Sequence, residues 1–230
     1  MKDLLIVIPA YNEENNIEQV ITSLRQNAHG YDILVVDDGS TDSTATIAEG
    51  LMVQIVKHRV NLGIQEAIRT GMKYAVGHDY SYVLQFDADG QHDACSVDNM
   101  LKTVREEGCD IVIGSRYLNN RPGLSVRSIG SRLLSACIKL TTGVIIKDPT
   151  SGMRMYNRKS TIKFVSSMHC SPEPDTLAYL AGKGFRIREI PVEMSERSSG
   201  RSYLDITESI RYMFRMCTSI LMLRWMRGEL

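Results

Sequence analysis

The sequence predicts an α/β protein: a mostly parallel central sheet flanked by helices, with a C-terminal amphipathic helix. Three observations predict it. Short apolar, β-branched runs alternate with helical stretches through the first half. Each run spans only about four to six residues, the length of a strand buried on both faces. The runs are joined through helices, as parallel pairing requires.

In order, LLIVI is followed by EENNIEQVITSLRQ, DILVV by TDSTATIAEGL, VQIVKH by IQEAIRTGMKYAV, and YVLQF by SVDNMLKTVREE, before DIVIG supplies a fifth strand. From residue 120 the pattern changes. RPGLSVRS reads as a loop, SIGSRLLSACIKLTTG as a helix, KDPTSGMRMY as a turn leading into a strand, and PEPDTLAYLAGKG as a helix beginning near Pro174. FRIREIPVEM is another strand, and ERSSGRSY a polar loop before the last helix. The second half extends the same sheet with an antiparallel strand. No internal repeat, low-complexity tract or linker divides the chain, so one domain over residues 1–202 and a helix over 203–230 are expected.

Composition names no partner. With 43% hydrophobic residues, 23% charged residues and a formal net charge of zero, the chain is an ordinary globular protein, neither disordered nor suited to coating nucleic acid. Cys95, Cys109, Cys137, Cys170 and Cys217 form no CxxC pair, which argues against a zinc ribbon or a disulfide framework and for a reducing compartment. The opening MKDLLIVIPAYNEE is too short in its apolar part for a signal core or a membrane span, so a cytoplasmic location is expected. The final SIRYMFRMCTSILMLRWMRGEL mixes large apolar residues with Arg211, Arg215, Arg224 and Arg227, which forbids an ordinary span. Two readings stay open: a helix lying on an anionic membrane surface, or one packed on the domain or on another subunit.

Ligands of parallel sheets gather beyond the carboxyl ends of the strands. PAYNE, DDGSTD, RVNLG, DADGQHD and SRY are therefore the informative stretches. A D-x-D pair arises about once by chance in a chain with this aspartate content, so FDADGQHD gains meaning only from its place at a strand end. There Asp87 and Asp89 suit a hard cation that completes its shell with phosphate oxygens, and Gln91 adds a neutral oxygen. His92 and Asp93 read as turn and cap. In DDGSTD, Ser40, Thr41 or Asp42 suits a helix N-cap, while Asp37 and Asp38 can accept hydrogen bonds from a ribose or a base. In PAYNEE, Pro9 stiffens a turn, Tyr11 either stacks on a base or packs on the sheet edge, and Asn12 suits a helix cap. No G-x-G-x-x-G follows the first strand and no P-loop motif occurs, so dinucleotide and P-loop readings lose support.

VIPAYNEE, ILVVDDGSTDST, NLGIQEAIRTGMKYA, FDADGQHD, IVIGSRY, DPTSGMRMY and the EIPVEM run with its R-x-x-G-x-S loop occur in one order along nearly the whole chain. In these stretches the chain resembles a family 2 glycosyltransferase of the GT-A (nucleotide-diphospho-sugar transferase) fold, in the branch of dolichol-phosphate mannosyltransferase and its bacterial polyprenyl-phosphate relatives. The resemblance implies a nucleotide-sugar-binding half over residues 1–118 and an acceptor-side half over 119–202. It implies an inverting transfer of a sugar from a UDP- or GDP-linked donor, assisted by Mg²⁺ or Mn²⁺, to a polyprenyl phosphate or lipid-linked glycan at the cytoplasmic membrane face. Pro9, Tyr11, Glu13, Val36 and Asp38 would then surround the base and ribose. Asp87, Ala88 and Asp89 would line the diphosphate, with Asp87, Asp89 and Gln91 toward the metal. Arg116 and Arg197 would contact phosphate or the acceptor head group, and Arg127 is a further candidate. Asp89, Arg116 and Asp175 are the residues it marks as catalytic.

The acceptor decides whether a base is needed. A lipid phosphate is already anionic, whereas a sugar hydroxyl must lose a proton to a positioned carboxylate. Asp175, with Glu173 nearby, stands where hydroxyl-acceptor relatives place that base; equally, it suits an acidic first turn that complements the helix dipole. Tyr203 replaces a lysine usual in the mannosyltransferase branch, with Arg201 a possible substitute, and the donor nucleotide stays open. Many relatives carry C-terminal membrane helices, so a peripheral enzyme, a partner of a small membrane protein, a homo-oligomer, or a chain cut before its spans are all compatible with this end. A hydroxyl-acceptor enzyme of polysaccharide synthesis, a nucleotidyltransferase and a degenerate scaffold subunit are the competing readings. The acidic PAYNEE disfavours the nucleotidyltransferase, and the intact site residues disfavour the scaffold.

Overall fold

The LLIVI run becomes β1 (Lys2–Ala10), buried from Leu4 onward. Its alternate side chains feed two cores, with Leu4, Ile6 and Ile8 on one face of the sheet and Leu5 and Val7 on the other. Burial on both faces is why the strand reads as a continuous apolar run. A computed structural model describes residues 2–28, 30–119, 126–167, 170–193 and 206–225. After β1 come α1 (Ile17–Asn27), β2 (Asp32–Asp37), α2 (Thr44–Gly50), β3 (Gln54–Lys57), α3 (Ile64–Gly77), β4 (Tyr80–Gln85), α4 (Ser96–Glu106) and β5 (Ile111–Ser115). The second half adds α5 (Val126–Thr142), β6 (Arg154–Asn157), α6 (Arg158–Ser166), α7 (Pro174–Gly182), β7 (Ile187–Pro191) and α8 (Ile206–Trp225).

The seven strands form one sheet in the order β3-β2-β1-β4-β6-β5-β7. Only β6 runs against its neighbours β4 and β5, and this is the antiparallel strand expected in the second half. Its direction has a consequence for the site. The loop before β6 lands on the same sheet edge as the turns after β1, β2, β4 and β5. Apolar faces of α1, α2 and α4 cover one side of the sheet, and those of α3, α5, α6, α7 and α8 cover the other.

The elements differ from expectation in several places, among them the start of α5 at Val126, inside the expected RPGLSVRS loop. The sequence reading missed α6, although Asn157 supplies its N-cap by accepting the Ser160 amide at 2.9 Å. The N-cap of α2 is Ser43 rather than Ser40, Thr41 or Asp42. Asp42 still serves that helix start, because its carboxylate accepts the Thr44 amide at 3.0 Å. Asn12 caps no helix; it bridges two loops, as described below.

One close approach sets the seat of α3 on the sheet. A Cβ at Gly71 would run into both methyl groups of Val7 on β1, whereas one at Gly77 in the same helix would meet open space. Overpacking of this kind costs about 1–3 kcal/mol, more than the roughly 1 kcal/mol that alanine gains over glycine inside a helix. Gly71→Ala should therefore lower the urea midpoint. Gly77→Ala should raise stability by about 0.5–1 kcal/mol. Equal effects at the two positions would show that α3 does not approach β1 as described.

Candidate active site

The turns after β1 and β2 are zipped together by reciprocal hydrogen bonds. The Asn12 amide donates to Ser40 Oγ at 3.0 Å, and Asn12 Oδ1 accepts the Thr41 amide at 2.9 Å. The Glu13 amide donates to Thr44 Oγ1 at 2.8 Å, while Glu14 Oε2 accepts the Ser43 amide at 3.0 Å. Asn12 sits at φ 54°, a left-handed conformation that asparagine tolerates better than most residues. PAYNEE and DDGSTD thus build one rigid rim.

Asp38 fastens the next loop to that rim. Its Oδ1 accepts the Leu62 amide at 3.0 Å and lies 2.7 Å from His58 Nδ1, and its Oδ2 accepts the Gly63 amide at 2.7 Å. Three partners occupy a carboxylate that has about four acceptor sites, which leaves little capacity for a ribose or base. Its first role is to hold the start of α3.

These loops enclose a cleft of about 320 Å³, lined by Pro9, Ala10, Tyr11, Glu13, Asp38, Asn61, Gly63, Ile64, Ala67, Asp87, Ala88 and Asp89. Tyr11 is 41% exposed at the rim. Seven of the expected donor residues meet here: Pro9, Tyr11, Glu13, Asp38, Asp87, Ala88 and Asp89. Val36 does not join them. Strand alternation points its side chain down into the core under α3, where it is fully buried, so only its backbone could approach a nucleotide.

Asp87 is the best-framed carboxylate of the cleft. Its Oδ2 lies 2.9 Å from His92 Nε2. Burial works against its charge, but the nearby His92 imidazole, the hydrogen bonds from His92 and Gln85, and the charge of Arg154 together hold the carboxyl below its usual range. His92, expected as turn and cap, instead positions this acid. Gly152 lies against Asp87 so closely that a Cβ there would run into Oδ2. Among the described residues, three of the six buried side-chain polar atoms without a partner belong to Gln85, Asp87 and His92. Such a concentration of orphaned atoms beside a cleft fits a group supplied from outside.

The donor set also fits a hard cation. Among the described residues no three acidic, histidine or cysteine side chains gather into a metal cage. Asp87 and Asp89, two residues apart on one cleft wall, match the usual way Mg²⁺ is held, by one or two carboxylates with phosphate oxygens and water completing the shell. Gln91 sits beside the pair. Its backbone amide donates to Asp89 Oδ1 at 3.1 Å, and it does not line the cleft.

Arg116 is likewise not a free phosphate ligand. Its Nε and Nη2 engage Asp148 at 2.7 and 2.6 Å, Nη2 also donates to Thr150 Oγ1 at 2.8 Å, and its backbone amide donates to Asp148 at 3.0 Å. Asp148 is completely buried, and the Arg116 side chain is 18% exposed. Burial disfavours the guanidinium charge, but Asp148 outweighs it and holds Arg116 above its usual pKa. The motif DPTSGMRMY carried the partner in plain sight. Sequence alone shows no pairing across the 32 residues that separate Asp148 from Arg116.

The acceptor-side acids make packing contacts, and Asp175 takes the first-turn place that one of its two readings gave it. Asp175, in the first turn of α7, accepts from Ser219 Oγ of α8 at 2.8 Å and is not among the cleft residues. Glu173 binds Gln65 and Tyr212 through its two carboxylate oxygens. Arg197, Arg201 and Tyr203 lie outside the described residues. Arg127 falls in the first turn of α5, and its side chain lies outside them too.

The sheet thus sets a D-x-D turn against an aromatic, acidic rim at the edge where ligands of parallel sheets gather. The chain belongs to Glycosyl transferase family 2, whose profile matches residues 5–164. It is 29% identical over 228 residues to polyprenol monophosphomannose synthase of Mycolicibacterium smegmatis, covering 92% of this chain and 84% of that one. It is 30% identical over 217 residues to UDP-N-acetylglucosamine–dolichyl-phosphate N-acetylglucosaminyltransferase of Methanococcus voltae, covering 84% and 85%. Its fold matches the crystal structure of glucosyl-3-phosphoglycerate synthase from Mycobacterium tuberculosis in complex with Mn²⁺, UDP and phosphoglyceric acid, with a TM-score of 0.72 at 21% identity, over 97% of this chain and 78% of that one.

The Arg116–Asp148 pair yields a stability test. Asp148→Asn strands a largely buried guanidinium, and breaking a buried pair from one side costs about 3–5 kcal/mol. Chemical denaturation should register a loss of that size. A loss below about 1 kcal/mol, the range of exposed pairs, would mean that the pair is solvated in solution.

Proposed function

We propose that this protein is an inverting glycosyltransferase that moves a sugar from a UDP- or GDP-linked donor to a polyprenyl phosphate at the cytoplasmic membrane face. The observation that carries the donor half is the meeting of Asp87, Ala88 and Asp89 with Pro9, Tyr11, Glu13 and Asp38 around one cleft. All of these residues belong to the 1–118 half assigned to the nucleotide sugar. Tyr11 offers a stacking face, and Asp87 and Asp89 would hold the ion that accompanies the diphosphate. A bound Mg²⁺ or Mn²⁺ would offset the negative charge that grows on the departing nucleoside diphosphate. The relative structure that holds Mn²⁺ with UDP supports this assignment of the cofactor.

Within the chain, His92 and Gly152 fix the direction of the Asp87 carboxylate. The rim from Asn12 to Thr44 fixes Tyr11, and Asp38 fixes the opening of α3. Fixed placement matters because only interactions that strengthen as the sugar–phosphate bond breaks accelerate the reaction.

A phosphate acceptor is favoured over a hydroxyl by the geometry of Asp175. One of its oxygens is occupied by Ser219, and the side chain does not line the cleft. A phosphate nucleophile needs no such base. The names of the Mycolicibacterium and Methanococcus relatives point to the same acceptor class.

The outer surface suits a lipid substrate. On α5, Ile129, Leu133 and Leu140 are exposed, and on α8 so are Ile210, Phe214 and Met222. The exposed charged residues beside them are Arg132, Lys139, Arg211 and Arg215, and no acidic residue occurs among the described side chains of either helix. Apolar side chains set among cations favour an anionic bilayer surface. Among the described residues no helix is long and apolar enough to cross a membrane.

A donor screen decides the reading. Purified protein with Mn²⁺ or Mg²⁺ should release nucleoside diphosphate from a UDP- or GDP-sugar when a polyprenyl phosphate is supplied, and not when a free sugar is. Asp89→Asn should cut this activity by about 100-fold or more, the scale of several kcal/mol of lost charge stabilisation. Asp175→Asn should retain most of it. Turnover confined to sugar hydroxyls and abolished by Asp175→Asn would establish the hydroxyl-acceptor reading instead.

A further inference from the structure

Glu173 occupies the N-cap position of α7, yet its side chain caps nothing there. An acidic N-cap ordinarily accepts an orphan amide of its own first turn. This carboxylate is diverted to two other helices. Oε1 accepts from Gln65 Nε2 of α3 at 3.2 Å, and Oε2 accepts from the Tyr212 hydroxyl of α8. Its backbone carbonyl accepts the Thr176 amide at 3.2 Å and the buried Arg154 guanidinium at 3.5 Å, which fixes Glu173 to the sheet as well.

The two helices it joins have different neighbours. Gly63, Ile64 and Ala67 at the start of α3 form one wall of the cleft, and Gln65 lies among them. Tyr212 packs inward on the core, while Ile210 and Phe214 on the same helix are exposed. A second contact of the same kind, Ser219 on Asp175, seats α8 on α7 about two turns further along α8.

We propose that Glu173 is a positioning residue for donor binding, anchored by Tyr212, so that the seating of α8 sets the cleft wall built by α3. Burial and the Glu173 charge push the Tyr212 phenol well above its usual range, so it stays a neutral donor at working pH. The carboxylate is the shared acceptor through which α8 and α3 are held in register. Its coupling to lipid rests on the membrane reading of α8; its coupling to the nucleotide does not. If a bilayer steadies α8, donor affinity rises, and by linkage a bound nucleotide strengthens membrane binding by the same factor.

The test uses the full chain, with UDP and GDP as probes in the presence of Mn²⁺, and reads affinity by calorimetry. Tyr212→Phe deletes one hydroxyl of a residue that does not line the cleft, and Gln65→Ala changes an exposed residue. Without vesicles, each should weaken binding of the preferred nucleotide by about fivefold, the lower end of typical coupling between sites. The double variant should be no weaker than either single one, because both act through Glu173. A structural role for Tyr212 alone would give additive losses or none, and either result overturns the proposal. If Tyr212→Phe unfolds, wild-type affinity in Gln65→Ala overturns it alone.

Vesicles of phosphatidylglycerol and phosphatidylcholine supply the second arm. Wild type and both variants should co-sediment with them equally, and vesicles should tighten nucleotide binding in wild type alone. Vesicle-tightened binding that persists in both variants overturns the coupling through Glu173. Failure of wild type to co-sediment overturns the membrane reading and leaves the nucleotide arm to decide Glu173. Failure of UDP and GDP alike to bind wild type overturns both the donor reading and this inference.

Discussion

The ligand edge of this protein depends on one constraint: the loop before β6 must carry polar groups into the interior and have each of them met. Because β6 runs against its neighbours, residues 147–152 arrive between the turns that follow β4 and β5. Glu189 of β7 accepts the amides of Lys147 and Asp148 at 2.7 and 2.8 Å. Arg154 donates to the carbonyls of Pro149 and Ser151 at 2.8 and 2.9 Å, and Ser151 Oγ donates to the Gly114 carbonyl at 2.5 Å. With Asp148 on Arg116 and Gly152 against Asp87, a shift of this loop would move the cleft acid, the arginine and the start of α7 together.

Such a loop is not the cheapest way to fill a core. Arg154 is 1% exposed and Asp148 is fully buried, and charges in that position lose hydration that an apolar residue would never have needed. What the arrangement supplies is direction. Hydrogen bonds from a guanidinium have a fixed fork, so Arg154 holds two carbonyls of the loop and one at the head of α7 in a single geometry. A hydrophobic plug would fill the volume without specifying where Asp87 points.

This division explains what the sequence disclosed. Strand runs and the turns after them depend on short-range patterning, so β1 to β5 and the loops at residues 9–13 and 87–89 could be read directly. Their meeting in one cleft followed from the rule for parallel sheets. What the sequence leaves hidden lies where long-range partners decide a side chain's setting. SRY and DPTSG were both noticed, but only the fold pairs Arg116 with Asp148. Asp175 was placed correctly at a helix start, yet the partner that occupies it sits 44 residues later on α8. Val36 was assigned to the ligand from resemblance alone, and strand alternation takes its side chain to the core. The signal for α6 is local, an asparagine three residues before a serine amide, but it follows the β6 run directly, with no turn residue between them to mark a new element.

Two carboxylate oxygens in the described structure are buried without a partner, Oδ1 of Asp87 and Oδ1 of Asp175. Leaving an acceptor in that condition costs about 1–3 kcal/mol, so each needs an account. At Asp87 the orphan lies in a cleft-lining residue whose other oxygen is steered by His92, and a cation with its diphosphate would satisfy it. At Asp175 the other oxygen accepts from Ser219 of α8 and the residue does not line the cleft, so the donor site gives no account of this orphan. The same unmet valence therefore has opposite meanings in the two acids. One marks a place that a ligand completes, and the other an acid tied into the packing of α7 and α8. That contrast is the physical reason to look for the catalytic charge at residues 87–89 and for mechanical coupling between α7 and α8.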